Sequence, residues 1–265
     1  MDKTQRKRFL IGLAAVLAAM IVGIVFTAPH SVHHETITEV MKDAVLHDAN
    51  KVSLFGLVNV DPSYIAGLIV TVLLLVFAAF IRIFAIPRFK MVPGKFQMLI
   101  EMWVGLFDGL AKGNSPHRYH ALGAYIFTAG TYIFTGTMFE LLGVQAVTTA
   151  GHSISLPAPL ANINGAMAMG IFSYLFILVG GITSNKFKGV GRTLKEFSLP
   201  ISMTFRLFGA LLSGMLTTEL VYYYISLSFV LPVVVGVLFT VLHALIQAYV
   251  LTMLTSVFYG EVTEK

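Results

Sequence analysis

The sequence predicts an all-α polytopic membrane protein with six spanning helices, one interfacial amphipathic helix and a long C-terminal helical hairpin. Of its 265 residues, 57% are hydrophobic and 12% are charged, and the mean hydropathy is +0.82. Apolar windows of about 20 residues recur along the chain, each long enough to cross a bilayer. Lysine and arginine gather in alternate connections, the pattern expected of cytoplasmic loops. Cysteine is absent, which excludes disulfides, thiolate chemistry and cysteine-based metal sites. The eight histidines, at 30, 33, 34, 47, 117, 120, 152 and 243, are scattered, without the clusters that a di-iron membrane oxygenase requires. The net charge of +5 follows the loops and forms no nucleic-acid patch.

Residues 1–28 begin with the basic MDKTQRKR and continue as an apolar run from Phe9 to Ala28. A signal segment and a retained helix both fit. Bulky Phe26 at the minus-three position of a cut after Ala28, with Pro29 just beyond, makes a poor cleavage site and favours retention. Residues 29–63 form an external polar segment rich in His, Asp and Glu. Its His33 and His34 beside Glu35 fit two readings, a metal site and a solvated face, and the lack of a closed ligand set favours the second. The remainder, 64–265, is the main membrane domain.

That domain opens with a span over 64–85, followed by the cytoplasmic cations Arg88, Lys90 and Lys95. VPGKFQ at 92–97 is a Pro-Gly turn feeding a helix whose Phe96, Leu99, Ile100, Trp103, Phe107 and Leu110 share a face. With polar residues on its other side, that helix is expected to lie along the cytoplasmic interface. Residues 119–143 make the next span, ending near Glu140, and 144–161 form an external connection without lysine or arginine. A helix opening at Asn162 and Asn164 runs to about Thr183, and the basic SNKFKGVGRTLKE loop follows. The hairpin then occupies 198–226 and 232–259. This alternation places both termini inside if residues 1–28 are retained.

The first arm of the hairpin, LPISMTFRLFGALLSGMLTTE at 199–219, sets Arg206 inside an otherwise apolar run. Placing a guanidinium in hydrocarbon costs from about 2.5 kcal/mol upward unless an anion or water meets it. Ser202, Arg206, Ala210, Ser213 and Thr217 recur at helical spacing, so the cation lies on a small, polar stripe that a second surface can approach closely. Snorkelling to an interface and static pairing with a fixed acid are the structural alternatives. On the second arm, Gly236, Thr240, His243 and Gln247 form another polar stripe. In an antiparallel pair, Gln247 reaches a depth broadly similar to that of Arg206.

RLFG around Arg206, with VPGKFQ at 92–97 and LIQAY at 245–249, resembles the a subunit of F-type ATP synthases. The resemblance covers about 55–260. It departs from the usual pattern at Ala210, where asparagine is common, and at Met215, often glutamate. It implies a stator that carries H+ or Na+ through two half-channels to and from the carboxylates of a c-subunit ring, coupling ion flow to rotation. Arg206 is then the gate, and Ser202, Ala210, Ser213 and Thr217 belong to its ring-facing stripe. Glu219, His243, Gln247, Glu140, Asn162 and Asn164 are the half-channel candidates, each with a structural alternative as a helix cap, interface anchor or interhelical hydrogen bond.

The same resemblance implies c-ring proteolipids, peripheral-stalk b subunits and membrane lipid as partners, in a bacterial cytoplasmic membrane. It implies no cofactor, metal or nucleic acid. No GxxxxGK[ST] phosphate loop is present, so nucleotide chemistry is expected in other subunits and the chain is expected to be non-catalytic on its own. The alternative is a self-contained secondary transporter using Arg206 and Glu219 as ligands. The absence of an internal repeat counts against it.

Overall fold

The computed structural model describes residues 52–54, 58–147, 149, 153–223 and 231–264, with isolated positions between 12 and 38. Most of the helix expected within 1–28, most of the polar segment 29–63 including His33 and His34, and residues 224–230, which hold most of the turn expected between the two hairpin arms, lie outside the described residues. Among those described there are six α-helices and two antiparallel hairpins. The hairpins pair β1 (Val52–Leu54) with β2 (Val58–Val60), and β3 (Gln145–Val147) with β4 (Ser153–Ser155). They modify the all-helical expectation only in the two connections read as external. Pairing satisfies backbone groups there, and three-residue strands are too short to show an alternating pattern.

Among the described residues, four helical stretches are long and apolar enough to cross a membrane: Pro62–Arg88, Ile163–Lys195, Ser198–Thr218 and Val234–Thr263. The chain is an integral membrane protein. Helix α1 (Pro62–Phe80) starts where Asp61 Oδ1 accepts the Ser63 amide at 2.8 Å and Pro62 occupies the first turn, where its missing donor costs nothing. It continues through a π-helical turn, Ile81–Ala85, into a 3-10 turn, Ile86–Arg88. Ala66 and Val70 are buried, whereas Leu75, Val76 and Phe77 are exposed, which suits contact with lipid.

Helix α2 (Lys95–Asn114) runs antiparallel beside α3 (Tyr119–Phe139). Trp103 Nε1 donates to Thr131 Oγ1 at 3.1 Å, and the Phe107 ring lies where a side chain at Gly130 would sit. One turn after Phe107, Ala111 lies against Gly123. Only the C-terminal half of the expected apolar face turns inward: Phe107 is buried and Trp103 and Leu110 partly so, while Phe96 and Leu99 stay exposed. The exposed Asp108 carboxylate, 2.6 Å from Lys112, holds that ammonium above its usual range.

The span expected over 119–143 is not among the four long apolar stretches. Tyr, His, Thr and Gly dilute its apolarity, yet Leu122, Ile126 and Ile133 of α3 are fully buried. This helix is screened by its neighbours, so it does not need a uniformly greasy surface. A 3-10 turn, Glu140–Leu142, and left-handed Gly143 (φ 58°) end it.

Helix α4 (Ile163–Lys195) corrects the loop expected after Thr183. The chain bends at Lys186 (φ 49°, ψ −126°) and then resumes as helix. The returning part folds against the first: the Gly181 and Gly189 backbones touch, and Tyr174 Oη donates to the Thr193 carbonyl at 3.2 Å. Lys186, Lys188, Arg192 and Lys195 remain exposed, so the basic character is kept on a helical frame.

Helices α5 (Ser198–Tyr223) and α6 (Leu231–Thr263) form the final pair of elements. Two compact units divide them, one of Asn50–Leu212 with Thr240–Lys265, the other of Met1–Ala49 with Ser213–Phe239. Within the first, α4 and α5 cross closely at Gly170. A methyl group there would lie 2.9 Å from the Pro200 carbonyl oxygen and 2.6 Å from Thr204 Oγ1. Ser256 of α6 accepts from Asn114 Nδ2 at 3.0 Å and donates to the Leu110 carbonyl at 3.1 Å, pinning α6 to the end of α2. Within the second unit, Val221 is buried and Thr218 donates to the Gly214 carbonyl at 3.0 Å.

Candidate functional site

Met203, Leu207 and Leu211 recur every four residues on α5 and are almost wholly buried. Anchoring that face leaves Ser202 and Arg206, about a quarter-turn away, on the outer surface. Arg206 Nη2 reaches Ser202 Oγ at 3.5 Å, a long contact that satisfies little of a five-donor fork. Among the described residues no carboxylate lies within 4.0 Å of Arg206, and the ion pair that forms is Lys112–Asp108. Gly209 beside it leaves open space, and Ala210 is half-buried. In the other unit, Ser213 is exposed and its carbonyl accepts from Thr217 Oγ1 at 2.7 Å. A cation with unused donors, on a surface of small residues, can take an anion brought by another polypeptide.

Leu207 and Leu211 share a core cluster with Ala248 and Leu251 of α6. The residues immediately after Arg206 and Gln247 therefore belong to one packed layer. Gln247 is only 5% exposed. His243 is half-buried and has an interaction within the chain. The backbone of Glu219 is helical, but its side chain lies outside those described.

A second polar grouping stands at the N-termini of α1 and α4, beside a cavity of about 540 Å³. Asn162 caps α4 by accepting the Asn164 amide at 2.8 Å, and its Nδ2 donates to Asp61 Oδ2 at 2.9 Å. The other Asp61 oxygen caps α1. One carboxylate thus ties two helix starts together at the end of each macrodipole that favours negative charge. Asn164 and Tyr132 also line the cavity, whereas Glu140, in the turn after α3, does not.

Of the residues singled out from sequence, the structure gathers Asn162 and Asn164 at this cavity and keeps Arg206 on a separate surface of the same unit. Asp61 was missed as a site residue. Its signal was an Asp directly before a proline that opens an apolar run, the pattern of a capped helix start.

The ATP synthase A chain family model matches residues 65–260. Two curated relatives described as ATP synthase subunit a are similar to this chain. The protein from Histophilus somni strain 129Pt is 28% identical over 203 residues, covering 63% of this chain and 76% of the relative. That from strain 2336 is 29% identical over 203 residues with the same coverage.

Proposed function

The chain belongs to the ATP synthase A chain family, and from that premise we propose that it is the membrane stator subunit of a rotary F-type ATP synthase. It carries H+ or Na+ to and from carboxylates on a ring of c subunits and so couples ion flow to rotation. The observation that carries this reading is Arg206: an exposed guanidinium in an apolar helix, held only by a 3.5 Å contact to Ser202 among the described residues. An oppositely charged neighbour favours the ionised form of an acid. A ring carboxylate reaching Arg206 therefore gives up its cation before it passes, and the fixed charge repels cations that would leak straight across.

In this reading Ser202, Ala210, Ser213 and Thr217 let the ring approach. Gln247 and His243 line one side of the ion path, and Glu219 supplies an acid toward the outer half-channel. Asn162, Asn164 and Glu140 belong to its outer mouth, and Asp61, hydrogen-bonded to Asn162, holds the starts of α1 and α4 together beside it. The subunit holds no nucleotide and is not catalytic alone; b subunits complete the stator. Six spans including one within 1–28, an interfacial α2, the external segment 29–63 and the ion-translocating domain 64–265 make up the topology. Both termini face the cytoplasm of a bacterial inner membrane.

Arg206→Ala in the assembled complex tests the proposal. Removing a unit charge 4 Å from a carboxylate forfeits about 4 kcal/mol at an effective dielectric of 20, about a thousandfold in proton affinity. ATP-driven ion pumping is expected to fall by more than about a hundredfold; unimpaired pumping overturns the gate. The secondary-transporter reading is tested by the purified chain in liposomes, which moves ions unaided only if that reading is right.

A further inference from the structure

Where α1 ends and α2 begins, a cavity of about 740 Å³ opens between the 3-10 turn and the Pro93-Gly94 loop. Its lining divides by chemistry. Phe80 and Phe84, with rings 5.2 Å apart, form an apolar wall together with Phe96, while Arg88, Lys90 and Lys95 supply three cations. None of the lining residues is acidic. The three cations and the three phenylalanines are all exposed. Arg88, Lys90 and Lys95 take part in no ion pair among the described residues.

The frame around this cavity is fixed. Gln97 Oε1 accepts the Lys90 amide at 3.0 Å and its Nε2 donates back to the Lys90 carbonyl at 2.9 Å, fastening the loop to the first turn of α2. The same Nε2 reaches Glu101 at 2.7 Å, so this nearby acid is engaged on α2. Gly94 starts that helix without a side-chain cap, which keeps the positive end of α2 unblocked beside the cations.

We propose that this cavity is a specific site for an anionic phospholipid of the adjoining leaflet, with its phosphate among Arg88, Lys90 and Lys95 and an acyl chain along Phe80 and Phe84. The occupant follows from complementarity. The site offers positive charge without an acid, next to aromatic surface at the end of a spanning stretch, and a lipid with an anionic head and an apolar tail matches both halves. A zwitterionic lipid matches only the apolar half. The site is separate from the Arg206 face and does not depend on the ion-path reading.

The test uses the complete assembled complex, delipidated in detergent, and photo-crosslinkable phosphatidylglycerol or phosphatidylcholine with identical acyl chains. Mass spectrometry then locates the labelled peptide. Phosphatidylglycerol is expected to label residues 80–97 at least about fivefold more than phosphatidylcholine. Replacing Arg88, Lys90 and Lys95 together by Gln is expected to weaken binding on the order of a hundredfold, at about a fivefold loss per cation. If that variant does not assemble, Lys90→Gln alone is expected to show the fivefold loss. Equal labelling by the two lipids, or no change in the variants, overturns the proposal. So does full displacement by inorganic phosphate at matched ionic strength, which makes free phosphate the ligand, or crosslinking of this segment to a protein subunit in place of lipid.

Discussion

Asp61 and Arg206 are both charged side chains beside membrane-length apolar helices, yet the protein treats them oppositely. Both Asp61 oxygens are occupied by this chain, one by the Ser63 amide and the other by Asn162, and the result holds two helix starts together. Arg206 has the 3.5 Å Ser202 contact and no carboxylate among the described residues. A charge that its own chain satisfies is building material. One that its own chain leaves with unused donors on an exposed face is suited to a partner.

Substitutions sharpen that contrast. The largest effect is expected from Arg206→Ala, with coupled pumping almost lost while thermal unfolding of the purified chain changes by no more than about 0.5 kcal/mol, as for an exposed residue. A large loss of stability would place Arg206 with Asp61 as a structural charge. Gly170→Ala forces α4 and α5 apart at Pro200 and Thr204 and is expected to destabilise the chain by about 1–3 kcal/mol, read by thermal unfolding in detergent.

Asp61→Ala and Asn162→Ala are each expected to cost about 1–2 kcal/mol, because each removes a helix cap as well as their shared hydrogen bond. The double variant should cost less than the sum of the two, since that bond is lost only once. Strict additivity would mean that the 2.9 Å contact contributes nothing. The smallest effect is expected from Ser202→Ala, within about 0.5 kcal/mol in stability and with pumping retained, because a 3.5 Å contact is weak.

The contrast also explains what could be read before the fold was known. Arg206 announces itself because one cation interrupts an apolar run. The four long apolar stretches were legible from the same contrast of oil and charge. Helix α3 was legible as a helix, but its buried place depends on Phe107 entering beside Gly130, a contact made by another element. The basic residues after Thr183 read as a solvated loop. Their helix is supported instead by the Gly181–Gly189 approach and Tyr174 on Thr193, pairings invisible in local composition. Asp61 lay among several acids, and its second role exists only once Asn162, 101 residues later, arrives beside it.

A cysteine-free chain makes the central claim directly measurable, because every introduced thiol is unique within it. Ser202→Cys, on the exposed Arg206 face, and Thr204→Cys, on the buried α4 side, are each paired in the assembled complex with a single cysteine one helical turn from the c-subunit carboxylate. Disulfide yield under mild oxidation is then compared. The account predicts efficient crosslinking from position 202 and almost none from 204. Equal yields from the two positions, or no crosslink from 202, would contradict it.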